Sequence, residues 1–230
     1  FYFVKENDSL LQLKPPRFYG KVFLKACANG SSEMVTNLSA SLVNILYNFQ
    51  LMNLAGEDGV AAYGIIMYVN FIFTAVFIGY SVGTAPVISY HFGAGNFDEL
   101  KNLFRKSLVL MSAGGVLLTV AAELLSTPLV KIFASYDADL FQLTCYGFRL
   151  YSLAFLIMGI NIWGSSFFTA LNNGGISALI SFMRTLVFQI AAILVMPIIW
   201  GVNGIWLSIV AAEVFAVAVV GVCFFALKNK

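Results

Sequence analysis

Six long apolar stretches, separated by short polar turns, dominate the sequence. A helix needs about 20 consecutive apolar residues to cross the roughly 30 Å hydrocarbon core of a bilayer. Six stretches have about that length or more: 26–55, 60–90, 107–125, 148–171, 176–200 and 205–227. The separators are rich in Gly, Asn and Asp, which favour turns, and they lie at 55–59, 93–96, 135–139, 172–175 and 201–204. The pattern predicts an all-α integral membrane protein, a bundle of six transmembrane helices.

A more polar segment precedes the first apolar stretch. Residues 1–17 end in a Lys-Pro-Pro-Arg turn, whereas in 18–25 aromatic and aliphatic residues are interleaved with Lys21 and Lys25. Such a mixture is typical of a helix that lies in the membrane interface. We predict a linker over 1–17 and a six-helix unit over 18–230 that opens with a short amphipathic helix. The chain begins with Phe1 and no signal-peptide pattern, so we expect it to be a segment of a longer protein.

Composition agrees with a membrane location and excludes several functions. Hydrophobic residues make up 60% of the chain and charged residues only 10%, against about 25% charged in a typical soluble domain. The net charge of +2 is too small to indicate a nucleic-acid partner. The three cysteines are far apart and His91 is the sole histidine. We therefore expect no metal site, no disulfide framework, no catalytic constellation and no cofactor.

The basic residues predict the orientation of the chain in the membrane. Six spans place both termini on one side, together with the loops after the second and fourth spans. That side collects ten of the 13 Lys and Arg residues: Lys5, Lys14, Arg17, Lys21, Lys25, Lys101, Arg105, Lys106, Lys228 and Lys230. Cytoplasmic segments carry such an excess of positive charge. Both termini are therefore predicted to be cytoplasmic.

Polar residues inside the apolar spans fall on single helix faces. At roughly 100° per residue, Glu33, Asn37, Asn44 and Asn48 lie within about 60° of one another on the first span. Hydrogen bonding between helices is one explanation for such a stripe. The alternative, which we favour because Glu33 adds an ionisable group, is that the stripe lines a polar cavity.

The second and fourth spans carry similar stripes. Asn70 and Thr74 share a face of the second span, and Asn161 and Ser165 share a face of the fourth. Polar side chains on a lipid-facing surface are costly, so three spans with one polar face each predict a water-accessible cavity large enough for a substrate. Some of the many Phe, Tyr and Met residues would then form its apolar walls.

Two charged residues inside the last two spans are predicted to form an ion pair. Arg184 lies eight residues into the fifth span and Glu213 eight residues into the sixth, each about 12 Å from its own end at 1.5 Å per residue. The turn at 201–204 makes the two helices antiparallel neighbours. A charge near the membrane midplane is costly unless it is paired. The alternative is that Arg184 faces the cavity or binds carbonyl groups.

An ordered set of motifs resembles one family of membrane proteins. The second span and its loop contain Gly79-Tyr-Ser-Val-Gly-Thr-Ala-Pro86 and Tyr90-His-Phe-Gly-Ala-Gly95, followed by the basic helix start Leu103-Phe-Arg-Lys106. Further similarity lies at Phe167-Phe-Thr-Ala-Leu-Asn172 and Ala212-Glu213. The order and spacing of these motifs resemble the C-terminal half, helices seven to twelve, of the multidrug and toxic compound extrusion (MATE) transporters. The similarity is greatest to the MepA-like bacterial branch.

The resemblance implies one lobe of a twelve-helix transporter that works by alternating access in a bacterial plasma membrane. Its partners would be organic cations, the lipid bilayer and an N-terminal six-helix half, to which 1–17 would be the inter-lobe linker. Export would be driven by H⁺ or Na⁺. Some members of the family carry cation-binding carboxylates in helices seven and ten. In this chain those positions fall near Asn37 and Asn161, and Glu33 lies about one turn before Asn37. We expect Glu33, with Asn37 beside it, to be a proton or cation site.

Three other functions are weighed against this expectation. A flippase for lipid-linked oligosaccharides, from the same superfamily, would be expected to carry cationic residues in its cavity, whereas the stripes here hold amides and an acid. A membrane-embedded enzyme would need paired aspartates or a Ser/His pair within the spans, and the sequence has neither. The last alternative is a membrane scaffold that transports nothing.

Overall fold

The computed structural model describes residues 18–228, apart from the side chains at positions 29, 32, 33, 35, 227 and 228. The predicted linker over 1–17 lies outside the described residues. The described chain forms helices joined by short turns: α1 Gly20–Gly93, α2 Phe97–Ala134, α3 Ala138–Ser152, α4 Phe155–Ala170, α5 Gly174–Phe182, a π-helical segment Met183–Phe188, α6 Gln189–Trp200 and α7 Val202–Lys228. The predicted amphipathic segment at 18–25 continues directly into α1 and is not a separate helix.

Helix α1 is a hairpin whose reversal lies at Gly56. This residue has φ 65° and ψ −155°, a conformation that glycine adopts readily because it lacks a Cβ. The rings of Tyr47 and Tyr63 stack with centroids 4.9 Å apart, whereas a straight helix would separate these residues by about 24 Å. The chain therefore turns back on itself, as the polar segment at 55–59 predicts. We call residues 20–55 the first arm of α1 and residues 57–93 its second arm.

The fourth span is bent and starts earlier than the sequence predicted. Helices α3 and α4 meet at an angle of 52° across a break at residues 153–154. The helix begins at Ala138 rather than near Phe148, and the Asp137 side chain caps it by accepting from the main-chain N–H groups of Asp139 and Leu140. The predicted start was wrong because the first turns of α3 include polar residues that lower the local hydropathy.

Glycine allows helix α2 to approach the bend closely. A Cβ added to Gly115 would lie 2.8 Å from the main-chain oxygens of both Phe155 and Leu156. The Thr119 hydroxyl, one turn later on α2, lies 3.4 Å from the main-chain oxygen of Ser152. The backbone of α2 therefore packs directly against the broken span.

The last two crossings form a tight helical hairpin. Residues Gly174–Trp200 run as one span through α5, the π-helical segment and α6. Gly201 then adopts φ 55°, and the position of Gly204 leaves no room for a Cβ against the main chain of Met196. The chain therefore reverses at Gly201, within the predicted turn at 201–204, but α7 already begins at Val202 rather than near residue 205.

Six membrane crossings account for the described helices. Four helices are individually long and apolar enough to cross a bilayer, and the bent α3–α4 pair gives a fifth crossing. The α1 hairpin, which is one of the four, counts as two crossings because its arms are antiparallel. Many large apolar side chains point outward, including Phe71 and Ile198, as a surface in contact with lipid requires. The predicted all-α membrane bundle is confirmed.

Candidate functional site

A cavity of about 370 Å³ lies between both arms of α1, the α3–α4 pair, the span formed by α5, the π-helical segment and α6, and α7. Its wall alternates polar groups with aliphatic and methionine side chains. The polar and aromatic lining residues are Thr36, Asn44, Tyr47, Tyr63, Asn70, Thr74, Ser81, Tyr151, Ser165, Ser166, Ser181, Arg184, Thr185, Gln189 and Glu213. The cavity is thus the point at which the polar faces of several spans converge.

Four of the predicted cavity residues line this space, and all four make hydrogen bonds with neighbouring side chains. The Tyr63 hydroxyl donates to Asn44 Oδ1 at 2.7 Å, which joins the two arms of α1. One turn apart on the second arm, the Thr74 hydroxyl donates to Asn70 Oδ1 at 3.1 Å. Ser165 lines the α4 side of the cavity. The structure therefore places Asn44, Asn70, Thr74 and Ser165 in the wall of this cavity.

Two other predicted residues are not among the described residues that line the cavity. Asn48 donates from Nδ2 to the main-chain oxygen of Asn44 at 2.8 Å, one turn earlier on its own helix. Asn161 is fully buried and points at α7, where its Nδ2 lies 2.9 Å from the Glu213 main-chain oxygen and 2.6 Å from Glu213 Oε2. Asn161 therefore lies behind the wall and supports it.

The predicted coupling residues lie near the middle of the first arm. The Glu33 backbone belongs to α1, but its side chain lies outside the described residues. Asn37 is exposed and follows Thr36, which lines the cavity. The assignment of Glu33 and Asn37 as a proton or cation site stays a prediction.

Arg184 and Glu213 form an ion pair at the cavity wall. Arg184 Nη1 lies 3.0 Å from Glu213 Oε1, and the two side chains are 14% and 2% exposed. The structure thus brings together the two charges that the sequence places at similar depth. Arg184 belongs to the π-helical segment. Of the described residues that line the cavity, these two alone carry a full charge at neutral pH, so the wall has no net charge.

Tyr47 and Tyr151 also line the cavity, and the sequence analysis did not identify them. Tyr47 stacks on Tyr63, and its hydroxyl lies 2.6 Å from the Ser208 hydroxyl on α7. Tyr151 lines the cavity from α3. Tyr47 lies about 60° from Asn44 on a helical wheel, so its angular position was a usable signal. In a chain with 10 tyrosines that signal was easily missed.

A cluster of hydroxyl groups closes the cavity between α4 and α5. Ser165 Oγ lies 3.0 Å from Ser177 Oγ and 2.9 Å from Ser181 Oγ. The Thr169 hydroxyl is 2.6 Å from Ser177 Oγ. These short contacts pair the hydroxyl groups with one another and hold the two helices together. The cluster therefore stabilises one wall of the site.

Comparison with known proteins now defines the class of this chain. The six-crossing helix bundle is shared by three solved structures. MATE in complex with MaL6 superposes with a TM-score of 0.87 at 17% identity, covering 97% of this chain and 52% of that one. A multidrug resistance MATE family transporter of the MOP superfamily, in an outward-facing conformation, gives 0.85 at 19%, with 97% and 51% covered. The Vibrio cholerae MATE transporter VcmN, in its bent form, gives 0.82 at 17%, with 91% and 48% covered.

The sequence itself identifies the family. The family description MatE matches residues 33–195, more than half of the chain. The chain belongs to the MatE family, whose members are transporters rather than enzymes. No curated protein sequence gives a significant match. The chain spans about half the length of the structures that it matches.

Proposed function

We propose that the protein is a secondary active transporter that exports organic cations in exchange for H⁺ or Na⁺, and that this chain forms one of its lobes. The observation that carries the proposal is the 370 Å³ cavity inside a MatE-family helix bundle. Its wall offers amides, hydroxyls and aromatic rings around one neutralised ion pair. A cavity of this size accepts a small molecule.

The chemistry of the wall favours a cationic cargo over an anionic one. Tyrosine rings attract cations through their negative faces, and the stacked Tyr47–Tyr63 pair lies in the wall. Asn44 and Asn70 add amide oxygens. The Arg184 guanidinium is held by Glu213, so it is not available for an anionic lipid headgroup in this arrangement. This argues against the flippase function.

Fold similarity alone does not decide the cargo. A MOP superfamily transporter from Pyrococcus furiosus gives a TM-score of 0.85 at 17% identity, with 97% of this chain and 51% of that one covered, and its binding pocket is described as having reverse polarity that suggests a different function. Function resides in the site rather than in the fold. The zero net charge of the present cavity wall, together with its amides and tyrosine rings, therefore supports a cation-export function.

The partner and the location follow from the same proposal. Transporters built from repeats place their sites between the repeats, so an N-terminal six-helix half would complete the cargo path and residues 1–17 would link the two lobes. The excess of Lys and Arg on one side supports cytoplasmic termini. We assign the protein to the bacterial inner (plasma) membrane. Glu33, with Asn37, is proposed as one proton or cation site of the exchange.

Transport in proteoliposomes tests the proposal. The full natural-length protein is reconstituted, ethidium is placed on one side, and a pH gradient or a Na⁺ gradient is imposed. We expect ethidium to move against its gradient when one of the two ion gradients is present. Asn44→Ala should reduce this transport, because the variant loses a wall amide and its bond to Tyr63, whereas Asn48→Ala should not. Absence of ion-driven transport for a panel of organic cations would refute the proposal.

A further inference from the structure

The carboxylate of Glu213 is the most enclosed charge of the described cavity wall. Its Oε1 accepts from Arg184 Nη1 at 3.0 Å and its Oε2 accepts from Asn161 Nδ2 at 2.6 Å. The side chain is 2% exposed and lines the cavity. Groups from the π-helical segment and from α4 thus converge on one acid of α7.

Two buried atoms beside this carboxylate have no hydrogen-bond partner among the described residues. They are Arg184 Nε and Asn161 Oδ1. Buried polar groups are normally satisfied, and a buried ion pair stabilises a protein only when its remaining donors and acceptors are bonded as well. The arrangement thus places a donor and an acceptor that make no hydrogen bond to the described residues next to an ionisable acid.

The backbone that carries Arg184 is unusual in the same place. Met183–Phe188 forms a π-helical segment between α5 and α6. π-helical turns are rare, and they occur frequently at functional sites. This observation is independent of the hydrogen bonds, and it also indicates that the position of Arg184 matters for more than packing.

We infer that Glu213 is a proton-binding site of the exchange and that Arg184 is its built-in counter-cation. The inference rests on the proposed export of organic cations. A proton fits this site better than Na⁺ does, because both carboxylate oxygens face N–H donors, whereas a hard metal cation takes oxygen ligands.

The step is a simple protonation. A proton from water forms an O–H bond with a Glu213 carboxylate oxygen and returns to water when that bond breaks, and no other covalent bond changes. The neutral acid no longer attracts the Arg184 guanidinium, which keeps its charge. The ion pair thus changes from a net charge of zero to a net charge of +1 at the cavity wall.

This change makes proton and cargo mutually exclusive. A unit charge about 8 Å from a bound organic cation, at an effective dielectric constant of about 20, weakens its binding by about 30-fold. The deprotonated pair leaves the cavity neutral, so the cation is accepted. Exchange of one ion for another requires such mutual exclusion.

The other groups around Glu213 do not titrate in the same range. Tyr47 of α1 and Tyr151 of α3 are close enough to interact electrostatically with the carboxylate, and phenols are uncharged at neutral pH. Asn161 of α4, Ser181 of α5 and Gln189 of α6 cannot titrate. Among the described residues of the cavity wall, Glu213 is therefore the group whose protonation changes the charge.

The proton site can be tested without any cargo. Infrared difference spectra of the full natural-length protein are recorded in lipid between mildly alkaline and mildly acidic pH. We expect a protonated-carboxyl band that disappears in Glu213→Gln. The matched control is Glu123→Gln, since Glu123 also lies in a predicted span beside an arginine, with Arg149 Nε at 4.0 Å, but is not among the described lining residues. Loss of the band in the control, or its persistence in Glu213→Gln, would overturn the inference.

Binding of tetraphenylphosphonium then tests the charge mechanism. The unmodified protein should bind this cation about 30-fold more weakly at acidic than at alkaline pH. Glu213→Gln leaves Arg184 permanently unpaired, so binding should be weak at both pH values. The double variant Arg184→Gln/Glu213→Gln removes both charges, so tight binding should return and should not depend on pH. A merely structural pair would show no such recovery.

The outcomes separate this inference from the proposed function. If Glu213→Gln binds tetraphenylphosphonium with the same pH dependence as the unmodified protein, Glu213 is not the proton site. The proposed cation export would still stand. An infrared band that belongs to Glu213, with no binding of tetraphenylphosphonium or of the panel of organic cations at any pH, refutes cation export as proposed and leaves the proton site standing. Weak binding by the double variant, despite correct folding shown by size-exclusion chromatography, refutes the role of Arg184.

Discussion

Adjacent glycines on α2 allow a direct test of how the broken span is packed. Gly115→Ala would place a Cβ 2.8 Å from the main-chain oxygens of Phe155 and Leu156. These atoms belong to the backbone at the α3–α4 bend and have little freedom to move. Gly114→Ala, one position earlier, would meet only the Phe77 ring, at 3.9 Å. The two variants thus make the same chemical change in the same helix with different neighbours.

The expected magnitudes follow from two opposing effects. Replacing glycine by alanine inside a helix stabilises it by roughly 0.5–1 kcal/mol. Inserting a methyl group into a tightly packed place costs about 1–3 kcal/mol. Gly114→Ala should therefore be neutral or slightly stabilising, and Gly115→Ala should be less stable than Gly114→Ala by about 1–3 kcal/mol.

Thermal unfolding in detergent, followed by size-exclusion chromatography of the fraction that remains folded, measures this difference. The unmodified protein and both variants are compared in the same detergent. Gly115→Ala is expected to lose its folded peak at a lower temperature than the other two. Equal stability of the two variants would show that α2 does not contact the bend as closely as described.

Three further predictions concern the charged residues of the spans and the ability of this chain to transport alone. Neutralising either Arg184 or Glu213 should lower the folded yield because it leaves the other charge buried, and exchanging the two residues should restore part of it; purely additive losses would show that the pair does not form. Glu33→Gln should impair ion-driven efflux by the full natural-length protein more than it impairs drug binding, since an amide cannot exchange a proton; unchanged efflux would assign Glu33 a structural role. The 230-residue chain expressed alone should give no drug resistance, because transport sites lie between repeats; robust efflux by the purified monomeric chain in liposomes would contradict this.

The crossings of the bundle could be predicted because lipid imposes a simple rule. Every span must be long and apolar, and every reversal must contain residues that tolerate turns. The predicted turns therefore match the structure at Gly56 and Gly201. The rule fails where a helix extends beyond the apolar layer. Helix α2 runs over 38 residues, twice the length of the predicted span, because its first turns carry charged residues that hydropathy excludes.

The sequence allowed the polar residues of the site to be grouped within each helix, but not between helices. Angular positions give the relative directions of side chains on one helix, so Asn70 and Thr74 were correctly grouped. They do not give the rotation of that helix against its neighbours. On α4, Asn161 and Ser165 differ by about 40°, yet Ser165 lines the cavity and Asn161 contacts α7. Trp163, between them on α4, is buried and packs against Phe104 of α2, a contact that a helical wheel of α4 alone cannot show.

For the ion pair, the observed contacts give more information than the predicted depth of the two residues in the membrane. Similar depth sufficed to propose that Arg184 and Glu213 meet, since two opposite charges in lipid have few alternatives. Depth alone did not reveal that the pair lines the cavity, that Asn161 is a third partner, or that a π-helical turn carries the arginine. Each of these facts depends on packing between segments distant in sequence, and together they change the interpretation of the pair. A charge pair hidden behind the wall only stabilises the fold, whereas one in the wall alters the charge that a cargo meets whenever its acid gains or loses a proton.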